Sequence, residues 1–156
     1  MSCFGACLLT GCGSDDSPAN LTGSYQVNLT NRASTCPFDW DENNMTSGVP
    51  VEFTQNGAAI TVTVGGAPAI ALALLVGKAD FAGSVSGKSF TATAYGTLPR
   101  SSGNCTYTVN GTIKGSLSGD VIQGTVTYTP AGNGNPDCTA LQCAAVQEFN
   151  GARPPT

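Results

Sequence analysis

Apolar and polar residues alternate along most of this chain, most densely between residues 80 and 128. Phe90, Ala92 and Ala94 interleave with Thr91, Thr93 and Tyr95, and Tyr107, Val109, Ile113 and Leu117 share one side against Thr106, Thr108, Thr112 and Lys114. A period of two is the strand period, in which successive side chains point to opposite faces. Ser86-Gly87-Lys88 and Ser118-Gly119-Asp120 interrupt the pattern with residues that accept positive φ, as tight hairpins require. The same alternation predicts strands over 21–30, with Leu21, Gly23, Tyr25, Val27 and Leu29 on one face, and over 49–55 and 58–64, joined by Asn56-Gly57. Further strands are expected over 104–117, 121–129 and 142–150.

Between residues 65 and 78 the alternation stops. Gly65-Gly66-Ala67-Pro68 leads into Ala69-Ile70-Ala71-Leu72-Ala73-Leu74-Leu75-Val76, followed by Gly77-Lys78. Proline near the start, glycine past the end, an Ala/Leu interior and a trailing cation predict a short helix. The segment is apolar all round and too short to span a bilayer, so a buried plug or lid is the expectation. A further buried strand is the alternative, because short apolar runs fit either period.

The connections between the eight expected strands then alternate in length. Those near 56–57, 87–88 and 118–120 are tight; those near 31–48, 65–79, 98–103 and 130–141 are long. In an up-and-down antiparallel meander all the long loops therefore gather at one end, away from the N-terminal tether. Eight strands close into a small barrel without exposed edges, and inward glycines at positions 23, 83, 111, 115 and 124 allow the strong coiling. The expected class is an all-β, eight-stranded antiparallel meander barrel with one short helix; a β-sandwich is the alternative.

Composition narrows the chemistry. Charged residues are 10% of the chain against about 25% in ordinary domains, so hydroxyls and amides carry solubility. A net charge of −4 supplies no basic stripe for nucleic acid. There is no histidine, which removes imidazole bases, Ser-His and Cys-His pairs and His-bearing zinc sites. Asp39, Asp41 and Asn43 have the first offsets of a calcium loop, but Asn44 stands at the glycine turn and Pro50 at the terminal glutamate position. Ala82 to Ser89 mimics a phosphate loop yet runs into a strand rather than a helix. Nothing places a base beside a nucleophile, so neither an enzyme nor a cofactor is expected.

Leu8-Leu9-Thr10-Gly11-Cys12, followed by Gly13-Ser14-Asp15-Asp16-Ser17-Pro18, resembles the lipobox and tether of bacterial lipoproteins. The resemblance implies that residues 1–11 are a signal segment, that Cys12 is lipidated, that 12–20 form a tether, and that 21–153 form the barrel domain at the cell envelope, on the bacterial outer membrane. Eleven residues precede Cys12 and none is Lys or Arg, which leaves the family's positive n-region unmatched and points to a start upstream. With Cys3 and Cys7 in the signal and Cys12 lipidated, Cys36, Cys105, Cys138 and Cys143 remain, an even set read as two disulfides. Three connectivities exist; Cys138–Cys143 as a local clasp with Cys36–Cys105 as a long-range bridge is favoured.

Leu21-Thr22-Gly23-Ser24-Tyr25 is similar to the opening strand of lipocalin-like barrels, with Tyr25 where that family usually has Trp. The resemblance implies that Arg153 packs over this aromatic. Together these readings predict a non-catalytic, lipid-anchored binding domain. It would take an apolar small molecule or an envelope-protein partner at the long-loop end, through Leu72, Leu74 and Leu75 with Phe38 and Trp40 at the rim. The competing expectation is a structural or protein-interaction lipoprotein with a packed core; a cavity of several hundred cubic ångströms would separate the two.

Overall fold

The alternating stretches form nine antiparallel strands in the computed structural model, which describes residues 17–154. Cys12 and the segment read as a signal lie outside the described residues. The strands are β1 (Gly23–Ser34), β2 (Met45–Asn56), β3 (Ala59–Val64), β4 (Asp80–Ser86), β5 (Ser89–Ala94), β6 (Arg100–Ser102), β7 (Cys105–Ser118), β8 (Val121–Gly132) and β9 (Ala145–Ala152). Helix α1 (Gly66–Leu75) separates β3 from β4, and a 3-10 segment, Pro136–Leu141, separates β8 from β9. The strand order follows the chain, β1 pairs with both β2 and β9, and β5 pairs with β7, so eight strands close into a barrel. The sandwich alternative is thereby overturned, as is the strand alternative for residues 66–75.

β6 was not anticipated. The connection after β5, expected as plain loop over 98–103, folds back as a three-residue strand on the N-terminal part of β7, outside the closed ring. β1 and β2 also extend past their expected ends, leaving a loop of only 35–44, and β9 begins at Ala145 rather than Gln142.

The inward faces explain how so small a barrel fills. One row runs from Val85 through Phe90, Gly115, Gly124 and Phe149 to Leu29 by direct cross-strand pairing. Two aromatic rings thus share the space over two glycines. A methyl group on Gly115 would lie 2.5 Å from the Phe90 ring, and one on Gly124 would lie 2.1 Å from the Lys114 carbonyl oxygen. The rings continue as a string: Phe90 meets Phe53 edge-on at 5.4 Å, and Phe53 meets Tyr25 at 5.2 Å. Such edge-to-face contacts add about 0.5–1.5 kcal/mol each beyond the area they bury.

At the tether pole the tight turns close over the barrel. The Ala19 amide donates to the Gly87 carbonyl, and Gln55 Nε2 donates to the carbonyls of Ala19 and Gly57. Arg153 lies over the Tyr25 ring, 5.3 Å from its centroid; its Nε donates to the Tyr25 hydroxyl at 2.8 Å, and its Nη2 donates to the Asn20 carbonyl. The Tyr25 hydroxyl in turn donates to the Leu21 carbonyl. The arginine expected over the aromatic is therefore in place, and it joins the end of the last strand to the entry of the first.

Candidate functional site

All the long connections lie at the opposite pole, and two covalent bridges organise them. Cys36 pairs with Cys143 and Cys105 pairs with Cys138. The favoured connectivity is thus corrected, although all four cysteines are bridged as expected. The reason is barrel closure: β1 and β9 are neighbours, so Cys36 just past β1 faces Cys143 just before β9, where Thr35 and Ala144 also exchange hydrogen bonds. Cys105 opens β7 and Cys138 follows β8, again on adjacent strands. The 3-10 segment is therefore clasped from both sides instead of closing on itself. Asp137 reinforces it by accepting from the Asn104 amide at 2.9 Å.

α1 sits across this mouth. The Gly65 amide donates to the Pro50 carbonyl at its start, and Arg100 of β6 donates to the carbonyls of Leu74 and Leu75 at its end. The cation that meets the helix's negative end is therefore Arg100 from a distant strand rather than Lys78 from the next turn. Leu72 and Val76 are buried and Leu75 is half-buried, but Ile70 and Leu74 are 65% and 68% exposed. The expectation of a fully buried helix is corrected: α1 covers the barrel with one side only.

Beneath the helix the barrel is nearly solid. The remaining interior void, bordered by Val51, Phe53, Leu72 and Phe149 among others, is about 50 Å³, far below the roughly 300–1,000 Å³ of small-molecule pockets. Beside the helix an open cleft of about 320 Å³ runs between Ala67, Ala71, Leu72 and Leu75 on one wall and Trp40, Leu29, Tyr128 and Gln147 on the other. Ala67 and Ala71 are spaced one helical turn apart, and their small side chains leave the cleft open. Two larger depressions exist, one around the 3-10 segment, where Pro130, Pro136 and Leu141 stand among Asn135, Thr139 and Gln142, and one on the outer wall by Lys114 and Gln123; neither borders α1 or Trp40.

The far wall is held by hydrogen bonds. Trp40 Nε1 donates to the Arg32 carbonyl at 2.7 Å, and the indole meets the Tyr128 ring edge-on at 6.1 Å. The Tyr128 hydroxyl donates to Gln147 Oε1, Gln147 Nε2 donates to Asn31 Oδ1, and Asn31 Nδ2 donates to the Asp41 carbonyl. This relay runs from the barrel interior out to the 35–44 loop that carries Trp40. Burial pushes the Tyr128 phenol well above its ordinary range, because the phenolate would lose water without gaining a cation.

Of the residues singled out in the sequence, the structure brings Trp40, Leu72 and Leu75 together in the cleft. Phe38 packs on the edge of the core, and Leu74 faces outward. Tyr128 and Gln147 were missed. Tyr128 continues the inward parity of Ile122, Gly124 and Val126, so its position in the mouth was available from the alternation alone. Among the described residues, no group of three or more His, Cys, Asp or Glu side chains is placed to hold a metal ion. Comparison with protein-family models, curated proteins and solved structures finds no match.

Proposed function

We propose that this protein is a non-catalytic, lipid-anchored binding domain of the bacterial cell envelope, with an apolar ligand site in the cleft beside α1 rather than inside the barrel. The observation that carries the reading is the cleft itself. It pairs an apolar helix face with the chain's single tryptophan, at the pole opposite the tether. The anchor rests on the lipobox-like segment ending at Cys12, and the two disulfides fit an oxidising, extracytoplasmic compartment. The Arg153–Tyr25 closure supports the lipocalin-like resemblance. In this reading the packed interior serves as scaffold and the loops present the site.

Trp40 reports on the site directly. Titrating a neutral apolar probe such as octanol into the oxidised protein should change its fluorescence saturably. Ala71→Phe, which fills the cleft from an exposed helical position, should weaken that binding at least about tenfold while leaving the melting temperature within a few degrees, since surface changes seldom exceed about 0.5 kcal/mol. No saturable response in the wild type would overturn the reading and favour a purely structural lipoprotein, which the 50 Å³ interior also fits. The anchor is tested separately: Cys12→Ser should move the protein from the membrane to the soluble fraction, and unchanged fractionation would refute it.

A further inference from the structure

The inward face of the barrel turns polar where it meets the cleft. One inward row runs from Ile113 through Val126 and Gln147 to Asn31 by direct cross-strand pairing, so it starts apolar and ends in two amides. The next row towards the mouth carries Tyr128, paired with Ala145. Amides on an inward face are tolerated when their hydrogen bonds are met, and here the relay from Tyr128 to the Asp41 carbonyl meets most of them.

The direction of that relay is fixed from one end. A backbone carbonyl only accepts, so the Asp41 carbonyl takes Asn31 Nδ2 and turns Asn31 Oδ1 towards Gln147. Gln147 must then give Nε2 to Asn31 and Oε1 to Tyr128, whose hydroxyl donates. An amide nitrogen carries two hydrogens, and no described residue accepts the second one of Gln147. The side chain that carries it borders the cleft, among Leu29, Trp40, Leu72, Leu75 and Tyr128. The Trp40 N–H is already given to the Arg32 carbonyl, and Thr46, the other hydroxyl of the lining, is exposed to solvent. On the inward side of the cleft the uncommitted donor is therefore Gln147.

We infer that the cleft selects apolar molecules that carry an acceptor oxygen such as a carbonyl, and that Gln147 is the residue that determines this specificity. The apolar part lies along Ala67, Ala71 and Leu72, and the oxygen accepts from the free Nε2 hydrogen of Gln147. The inference rests on the cleft being a binding site and adds the chemistry of its ligand. Because the relay holds the amide in one orientation, the donor is positioned before a ligand arrives, and little side-chain entropy is lost on binding.

The test compares methyl butyl ketone with the alkene in which a methylene group replaces its oxygen, so that shape is kept and the acceptor is lost. Proton–nitrogen correlation NMR of the isotope-labelled, oxidised protein reads both. Each ligand should shift the backbone amides of α1 saturably. The ketone alone should move the free side-chain N–H of Gln147 downfield, while the N–H bonded to Asn31 stays in place. Gln147→Met, and Gln147→Glu, which keeps an acceptor for Tyr128 but loses the donor, should weaken the ketone about fivefold and leave the alkene affinity unchanged, with far-UV circular dichroism checking the fold. Should a variant fail to fold, the wild-type side-chain shift decides alone. Saturation of the α1 amides by the ketone without movement of either Gln147 side-chain proton, or equal losses for ketone and alkene in the folded variants, would overturn the acceptor inference while leaving the cleft as a site. Absence of a saturable shift at α1 with either ligand would overturn both.

Discussion

The two poles of this barrel are closed by different means. At the tether pole, short turns with glycines at positive φ (Gly57, Gly87 and Gly119) bring the strands back at once, and Arg153, Tyr25 and Gln55 seal the end with hydrogen bonds between its first and last segments. At the loop pole, four longer connections must be held over an opening, and two disulfides, a helix and a side-chain hydrogen-bond relay hold them. Short connections lose little entropy on closure and leave no room for a site. Long ones lose more, need covalent or tertiary restraint, and enclose a cleft. The open cleft and the covalent bridges therefore fall at the same pole for the same physical reason.

Removing a bridge tests that contrast most severely. The double variant Cys36→Ser, Cys143→Ser frees a loop closed across a sequence separation of 107, and should lower unfolding free energy by about 2–5 kcal/mol in urea titrations. Hydrogen exchange should rise in 35–44 and 133–144 and stay unchanged in 17–25. Equal acceleration at both poles would show that they are not separately stabilised.

The tether pole is probed by Arg153→Met, which keeps most of the packing over Tyr25 and removes the charged donors. Loss of its hydrogen bonds to the Tyr25 hydroxyl and the Asn20 carbonyl should cost roughly 1.5–3 kcal/mol, with probe affinity per folded molecule unchanged. A change in affinity would mean that the poles are coupled through the barrel. At the other end Arg100→Met should cost only about 1 kcal/mol, but it should loosen α1 and weaken binding in the cleft, measured by the same titration.

The smallest expected effect is a difference in pH dependence. Burial raises the Tyr128 phenol above the ordinary phenol value of about 10, so the folded state holds this proton more tightly than the unfolded chain does. The associated stability is fully present below about pH 10 and falls as pH rises beyond it. Tyr25 is raised as well, by burial, with Arg153 partly offsetting the shift. Tyr128→Phe should therefore show a shallower alkaline decline in melting temperature than the wild type, while its stability at neutral pH drops slightly because Gln147 loses its donor. An identical alkaline decline would remove Tyr128 from the account.

Strand positions, inward faces, tight turns, the short helix and the gathering of long loops at one pole were determined by the sequence itself. Each rests on local rules: a period of two, residues that accept positive φ, and helix-forming composition with proline and glycine at its ends. Trp40, Leu72 and Leu75 were legible as candidates because large apolar side chains in a loop or lid need somewhere to go. Tertiary structure alone decided the pairing of the cysteines, since bridge partners depend on which strand ends closure makes neighbours. It decided that Leu74 faces outward while Leu72 faces the core, because an all-apolar helix carries no polar face to orient it. It also brought Tyr128, Gln147 and Asn31 into one relay and Arg100 onto the end of α1, and left an opening beside the helix while the barrel packed solid. These contacts join residues far apart in the chain, and no local pattern encodes the distance between them.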